Sequence, residues 1–272
     1  MGVLNVTPDS FSDGGRYVDR QEAVERGLAM VAEGADIIDV GGESSRPGAR
    51  PVPLGEELRR VVPVVEALAG QARLSVDTVK RRVAEAAMEV GATLINDISG
   101  SLWPVAAAAG VGWVAMHMQG TPATMQDDPR YGDVVAEVHA TLLGRARTAL
   151  TAGVPEVWLD PGIGFGKTPQ HNLSLLRHLG ELVDEGLPVM VGTSRKGFLG
   201  RLVPRPDGSP APVTERLPGS LATAVWAMGS GASMVRVHDV AATVQAALLV
   251  GATCGSIRRH GVPGTGTVLR QW

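Results

Sequence analysis

Residues 73–97 have the sequence RLSVDTVKRRVAEAAMEVGATLIND, and this stretch decides the fold. Its two ends, Arg73–Asp77 and Thr93–Asp97, are short and mostly apolar, as strands of a sheet covered on both faces must be. Between them, apolar residues recur every three or four positions, which is the spacing of one face of a helix. The stretch therefore predicts a strand, a helix and a second strand parallel to the first.

The same alternation of a short apolar run and a helical pattern extends in both directions along the chain. The predicted strands are Val3–Asn5, Asp36–Val40, Arg73–Asp77, Thr93–Asp97, Gly112–Met116, Glu156–Asp160, Pro188–Gly192 and Met234–Val237. Eight strand–helix units in 272 residues match the size of a (β/α)8 TIM barrel. A doubly wound open sheet is the alternative, but it usually gathers its ligand residues at one switch point.

We therefore predict an α/β fold, a (β/α)8 barrel formed as one domain by residues 1–254. The proline-rich residues 204–212 are interpreted as an excursion within the seventh unit. Residues 255–272 are rich in glycine and proline, and we expect them to form a frayed C-terminal tail.

Composition excludes several classes of partner. The chain has 25 basic and 28 acidic residues, a net charge of −3, which gives no electrostatic basis for binding nucleic acid or an anionic membrane. The single cysteine, Cys254, excludes an internal disulfide and fits a reducing compartment. Residues 98–125 carry no charged side chain except histidine, but two prolines interrupt them, which favours buried core over a membrane span. We expect a soluble, cytoplasmic protein.

Polar side chains follow most of the predicted strands. In a barrel of this kind, the carboxyl ends of the strands and the loops after them form the active face. Capping of the following helix explains Asp39 and Asp97, but it does not explain why carboxylate, carboxamide, ammonium and guanidinium groups converge on one ring. The residues at these ends include Asn5, Asp77, Asn96, Met116, His117, Asp160, Gly192, Ser194, Lys196, Arg236 and His238.

The acceptors in this ring indicate what it could bind. Asp77, Asn96 and Asp160 would be costly to bury together unless a cation or a donor-rich ligand pairs with them. A flat heterocycle with an amidine or guanidine edge, such as a pterin, supplies those donors. Lys196 can donate to such a ring, and Arg236 can lay its guanidinium plane against it.

A second cluster suits an anion. Asn5, Arg236 and His238 end strands one and eight, which are neighbours in a closed barrel, and the following helix begins at Asp239-Val240. Free N–H groups at a helix start favour phosphate.

Glycine-rich loops follow three of the strands. Residues 7–15 and 41–48 are typical of mobile lids that exclude water. Residues 160–167 resemble a phosphate loop, but the lysine spacing is wrong for a nucleotide site. Lys80 is interpreted as part of a solvated face, and His117 as either interior packing or a ligand contact.

These residues make the chain resemble the dihydropteroate synthase family over essentially its whole length. The matching stretches are residues 2–15, 41–48, 75–78, 95–100, 160–167, 194–196 and 236–239.

The resemblance implies a transferase of folate biosynthesis, which condenses 6-hydroxymethyl-7,8-dihydropterin diphosphate with p-aminobenzoate to 7,8-dihydropteroate and diphosphate. It implies that Asp77, Asn96, Met116, Asp160, Lys196 and Arg236 hold the pterin, and that Asn5, Arg236 and His238 take the diphosphate. It places Ser45, Arg46, Pro47, Phe165, Gly192 and Ser194 around p-aminobenzoate, where sulfonamides compete. The catalytic residues would be Asp77, Asp160, Lys196, Arg236 and His238.

The resemblance further implies Mg²⁺ with the diphosphate, held by at most one protein ligand, Asn5, and a homodimer. Two alternatives remain: a pterin-dependent methyltransferase domain, which has no use for the diphosphate residues, and a pterin-binding paralogue without activity. A metal-dependent hydrolase would need a histidine and carboxylate ligand set that the strand ends do not supply.

Overall fold

The computed structural model describes residues 1–7, 16–45 and 48–254. Within them, strands and helices alternate as the sequence predicts. The strands are β1 (Gly2–Asn5), β2 (Ile37–Gly41), β3 (Arg73–Asp77), β4 (Leu94–Asp97), β5 (Gly112–Met116), β6 (Val157–Asp160), β7 (Met190–Val191) and β8 (Met234–Val235). The helices are α1 (Arg16–Ala32), α2 (Leu54–Leu68), α3 (Arg81–Glu89), α4 (Trp103–Ala109), α5 (Val134–Thr151), α6 (Pro169–Arg177), α7 (Leu179–Val183), α8 (Gly197–Leu202), α9 (Leu217–Gly229) and α10 (Val240–Cys254).

The strands form a ring in chain order. Strands β1 to β6 pair consecutively in parallel, and β7 pairs with β8. One bridge, Leu159 with Val189, joins β6 to β7, and another, Gly2 with Val237, joins β8 to β1. The predicted (β/α)8 barrel is therefore confirmed. Strands β7 and β8 are shorter than predicted, β2, β4 and β6 begin one residue later, and β1 begins one residue earlier.

The two-residue period of the strands sorts the barrel interior into an apolar layer and a polar layer. The apolar layer is a cluster of Met1, Ile37, Leu94, Val114, Met190 and Met234, with Trp158 packed against it. Two residues further along the chain, the positions are polar: Asp39 follows Ile37, Asn96 follows Leu94, and Arg236 follows Met234. The apolar cluster is thus the floor beneath a set of polar side chains at the carboxyl ends of the strands.

An ion pair lies at the opposite, amino-terminal end of the barrel. Arg73 at the start of β3 forms two hydrogen bonds to the carboxylate of Glu156, one of them of 3.0 Å. The indole nitrogen of Trp158 donates to the same carboxylate at 2.7 Å. This polar contact stands on the side of the apolar floor that faces away from the polar layer.

Helices cover the outside of the ring, and their starts follow from local sequence. Asp133 caps α5, because its carboxylate accepts the N–H groups of Val135 and Ala136 at 3.0 and 3.1 Å. Thr168 and His171 form a reciprocal capping box at α6. The proline-rich residues 204–212 lie between α8 and α9, within the seventh unit as predicted.

No helix in the described part of the chain combines the length and the apolar character needed to cross a bilayer. The predicted frayed tail, residues 255–272, lies outside the described residues.

Candidate active site

One cavity opens at the carboxyl ends of the strands, and it brings together most of the residues that the sequence singles out. Of the ten described residues that line it, nine were predicted, and Ile98, just after β4, is the addition. The lining consists of Ser45, Asp77, Asn96, Ile98, Met116, Asp160, Phe165, Gly192, Lys196 and Arg236.

Arg236 lies between two carboxylates at the centre of this cavity. Its Nε donates to Asp39 at 2.6 Å and its Nη2 to Asp77 at 2.7 Å. Asp39 also accepts a hydrogen bond of 2.8 Å from the amide of Asn96. The interpretation of Asp39 as a helix cap is wrong: its side chain is fully buried inside the barrel, because it follows the inward-facing Ile37 by two positions.

Burial and neighbouring charges shift the pKa values of Asp77 and Arg236. Burial raises the pKa of Asp77 above its ordinary value, and the nearby charge of Asp39 adds to the rise although Arg236 opposes it. For Arg236, burial disfavours the charge, but attraction to Asp39 and Asp77 outweighs it and raises the pKa of the guanidinium. Two carboxylates therefore compete for one cation, and the site can accept further positive charge or further donors.

Asp160 and Lys196 face each other across the junction of β6 and β7. The carboxylate of Asp160 accepts the N–H of Gly162 at 2.7 Å, and Lys196 Nζ donates to the carbonyl of Ile163 while lying 4.6 Å from the centre of the Phe165 ring. Burial lowers the pKa of Lys196 to about 8 and raises that of Asp160. Both groups therefore lie closer to neutrality than in water.

Lys167 organises the loop after β6, a role that the sequence did not indicate. Its fully buried ammonium donates to the carbonyls of Gly162, Phe165 and His117 at 3.1, 3.0 and 3.3 Å. It also lies 3.0 Å from Nδ1 of His117. Burial lowers the pKa of Lys167 to about 7, and burial together with Lys167 lowers that of His117 to about 3. His117 is therefore a neutral acceptor for Lys167, an interior contact.

The predicted anion cluster lies beside the cavity on β1 and β8. His238 Nδ1 lies 3.0 Å from the hydroxyl of Ser194, which also accepts the backbone N–H of His238 at 3.1 Å. Asn5 ends β1, which the bridge from Gly2 to Val237 places next to β8. Neither Asn5, Ser194 nor His238 is among the residues that line the cavity, whereas Arg236 belongs to both groups.

Other expectations have mixed outcomes. Asp97 does act as a cap before α4, because its carboxylate accepts the N–H of Leu102 at 2.6 Å. Lys80 is not on a solvated face: its ammonium pairs with Glu43 and with the buried Glu57. Arg46, Pro47 and residues 8–15 of the first glycine-rich loop lie outside the described residues.

The described part of the chain offers little to a metal ion by itself. In residues 1–7, 16–45 and 48–254, no group of three histidine, cysteine or acidic side chains is arranged to hold one. Within the anion cluster, the side-chain oxygen of Asn5 is a neutral oxygen ligand. Such a ligand fits Mg²⁺ when phosphate oxygens and water complete the coordination.

Comparison with known proteins agrees with this geometry. The sequence profile of the family described as pterin binding enzyme matches residues 1–238. The dihydropteroate synthase of Mycobacterium leprae is 50% identical over 261 residues, which cover 93% of this chain and 92% of that protein.

Two similar solved structures are also dihydropteroate synthases. The Yersinia pestis dihydropteroate synthase, solved as a sulfonamide drug complex, superposes with a TM-score of 0.86 at 45% identity and 94% coverage of both chains. The Thermus thermophilus dihydropteroate synthase, solved in complex with 4-aminobenzoate, superposes with a TM-score of 0.81 at 48% identity and 93% coverage of both. The chain described here therefore belongs to the pterin-binding enzyme family, within its dihydropteroate synthases.

Proposed function

We propose that this chain condenses 6-hydroxymethyl-7,8-dihydropterin diphosphate with p-aminobenzoate, releasing diphosphate and 7,8-dihydropteroate. The observation that carries the proposal is the single cavity in which Asp77, Asn96, Asp160 and Lys196 converge with Arg236. Family membership and this convergence favour the synthase over a methyltransferase domain or an inactive pterin-binding paralogue.

The pterin subsite is formed by the acceptors of the cavity. Asp77, Asn96 and Asp160 take the N–H groups of the pterin edge, and Lys196 donates to its carbonyl or imine nitrogen. One guanidinium, that of Arg236, serves both Asp39 and Asp77, so a donor-rich ring further stabilises the charged form of the buried carboxylates. Met116 and Arg236 contact the faces of the ring.

The reaction begins with departure of diphosphate. The bond between the methylene carbon and the diphosphate oxygen breaks, and the oxygen keeps the electron pair. Positive charge then spreads into the pterin, where Asp77 and Asp160 stabilise it in a cavity largely shielded from water. Arg236, His238 and Asn5 bind the departing anion, and Mg²⁺ held there by Asn5 would neutralise part of its charge.

The amine of p-aminobenzoate completes the reaction. Its nitrogen bonds to the methylene carbon and then loses a proton. A neutral aromatic amine is already nucleophilic, so no strong general base is required. Ser45, Phe165 and Gly192 on the cavity wall, with Ser194 beside it, orient the aminobenzoate. The family resemblance assigns Arg46 and Pro47, which lie outside the described residues, to the same subsite.

The test is a coupled measurement of both products. Purified chain is incubated with the pterin diphosphate, p-aminobenzoate and Mg²⁺, and diphosphate release is recorded with the mass of the organic product. We expect release and a product of dihydropteroate mass only when both organic substrates are present, and a large loss in Lys196→Gln. Binding of the pterin without turnover would instead favour the inactive paralogue.

We also propose that the chain is a cytoplasmic homodimer. Its single cysteine suits a reducing compartment. The contacting helices α9 and α10 expose large apolar side chains: Trp226 is 55% exposed and Leu249 69%. Exposed apolar surface of this kind is typical of an interface.

The mass in solution tests the homodimer. We expect light scattering to give twice the chain mass of 28.3 kDa, and Leu249→Glu to lower it. Leu150→Glu on α5, where the native side chain is 43% exposed, is the matched control that leaves the dimer intact. A monomeric wild type would refute this part of the proposal.

A further inference from the structure

Lys80 stands at the turn between β3 and α3, yet its charge is directed at a different loop. Its ammonium contacts the carboxylates of Glu43, at the start of the loop between β2 and α2, and of Glu57, on α2. The side chain of Glu57 is only 1% exposed, and its other oxygen accepts the hydroxyl of Thr78 at 2.6 Å. Lys80 thus joins β3 to both ends of the loop that follows β2.

Glu43 closes the neck of that loop. The carboxylate oxygen that contacts Lys80 also accepts the backbone N–H of Val52 at 2.9 Å, so one side chain ties the two ends of the loop together. Ser45, which lies between these ends, lines the cavity. The position of this cavity wall therefore depends on where Lys80 holds Glu43.

The charges explain why a cation is needed at this point. Burial acts against the charge on Lys80, but hydrogen bonds to Glu43 and Glu57 outweigh it and raise the pKa of the ammonium. Without the cation, two carboxylates would face each other, and Glu43 would turn toward water. The neighbouring Arg81 and Arg82 differ in this respect, because they are more than 70% exposed and pair with Glu85 on their own helix.

We propose that Lys80 is a positioning residue for the aminobenzoate subsite, acting through Glu43 to hold the two described ends of the β2–α2 loop together and Ser45 on the cavity wall. The inference rests on the proposed function, since it names the subsite for which the loop is held. It predicts that loss of Lys80 weakens the use of p-aminobenzoate and leaves the use of the pterin diphosphate nearly unchanged.

Steady-state kinetics with each substrate varied in turn provide the test. In Lys80→Met, we expect the KM for p-aminobenzoate to rise about tenfold, as loss of a charged hydrogen bond implies. The KM for the pterin diphosphate and kcat at saturation should stay within about twofold, and Lys80→Arg should recover most of the loss because it keeps the charge. Arg82→Met, a solvated neighbour, is the matched control and should behave as the wild type.

Lys80→Met leaves the buried carboxylate of Glu57 without its cation and could fail to fold. A second variant tests the proposal without that risk. Glu43→Gln keeps the pair of Lys80 with Glu57 and keeps an oxygen for the N–H of Val52, but it removes the ion pair at the neck. We expect the same selective rise in the KM for p-aminobenzoate, smaller in size.

Hydrogen exchange tests the inference without turnover. Amides of residues 48–53 should exchange faster in both variants than in Arg82→Met. Parallel increases in both KM values, or exchange that matches the control, would overturn the positioning role. Absence of wild-type turnover would overturn the proposed function, while the exchange comparison would still decide whether Lys80 holds the loop.

Discussion

At the scale of single residues, Arg236 connects the two charged halves of the cavity. Its guanidinium binds Asp39 and Asp77 through separate nitrogens. Arg236 directly follows β8 and is also proposed, with Asn5 and His238, to bind the diphosphate. The same guanidinium can therefore hold the carboxylates of the pterin subsite in place and also face the departing diphosphate. Since Asp39 also accepts the amide of Asn96, one buried carboxylate orients two of the proposed pterin contacts.

Asp160 provides the most direct test of the pterin subsite. A hydrogen bond to a charged group contributes about 1.5–3 kcal/mol, so Asp160→Asn should lower kcat/KM roughly ten- to a hundredfold or more. Steady-state kinetics measure the change. His139→Gln on α5 is the control and should have almost no effect, and equal effects of the two substitutions would place the reaction elsewhere.

Lys196 should give the reaction a pH dependence on the alkaline side. Burial lowers its pKa to about 8, so in the free enzyme the ammonium is lost as pH rises through that value. We expect kcat/KM for the pterin diphosphate to fall above about pH 8, because kcat/KM reports groups of the free enzyme. In Lys196→Gln, kcat/KM should be lower than in the wild type and should show no decline above pH 8. A decline that persists in this variant would belong to another group.

The residues of the site were predictable where they end a strand and not where they act from within the fold. Asp77, Asn96 and Asp160 follow apolar runs, so the period of the strand places them at the cavity. Asp39 lies in the middle of β2. In the sequence it resembles a helix cap, and only the closed barrel shows that its side chain points inside. The contacts of Lys80 depend on the distant residues Glu43 and Glu57, which no spacing along the chain indicates.

At the scale of elements, the loop after β6 is the part of the site most tightly determined by backbone geometry. Gly162 has φ +64°, and a Cβ there would lie 1.8 Å from the carbonyl oxygen of His117. Lys167 donates to that same carbonyl and to two within the loop. The loop therefore needs both a residue without a side chain at Gly162 and the buried donor of Lys167, and it carries Phe165 to the cavity.

Replacing Gly162 should disrupt this loop. The left-handed backbone and the collision with the carbonyl of His117 predict that Gly162→Ala destabilises the fold by more than about 2 kcal/mol. Gly144→Ala on the exposed face of α5 meets no atom within 4 Å and should stabilise it by about 0.5–1 kcal/mol. Urea unfolding of both variants measures the difference, and similar midpoints would contradict the assigned geometry.

Strand positions were predictable because apolar runs between turn residues are local signals. The ends of β7 and β8 were not, because pairing beyond Val191 and Val235 continues only as isolated contacts. The N–H of Arg236 donates to the carbonyl of Val191 at 2.9 Å, and Val237 bridges to Gly2. The sequence therefore predicts longer strands than the regular ladder where the ring closes.

At the scale of the whole molecule, the two ends of the barrel have separate roles. The cavity lies at the carboxyl ends of the strands, and the pair of Arg73 with Glu156 lies at the amino ends, with the apolar floor between them. In barrels of this kind, the amino-terminal end contributes to stability and the other end to chemistry.

Glu156→Gln should therefore separate stability from activity. Both partners are about one-third exposed, so loss of the pair should cost about 0.5–1 kcal/mol of unfolding free energy. Thermal unfolding should show this decrease, while kcat and both KM values stay at the wild-type level. A change in KM would mean that the floor transmits strain from one end to the other.

The uneven closure of the ring has a mechanical consequence. Strands β5 and β6 share four register pairs, whereas a single bridge joins β6 to β7, and Asp160 and Lys196 stand on opposite sides of that weak joint. Thermal breathing of the barrel should be greater there than between β5 and β6, and it should widen the gap between the two charges. The bond from Lys196 to the carbonyl of Ile163 crosses this joint, so a ligand that engages Lys196 would also decide how far the wall can open.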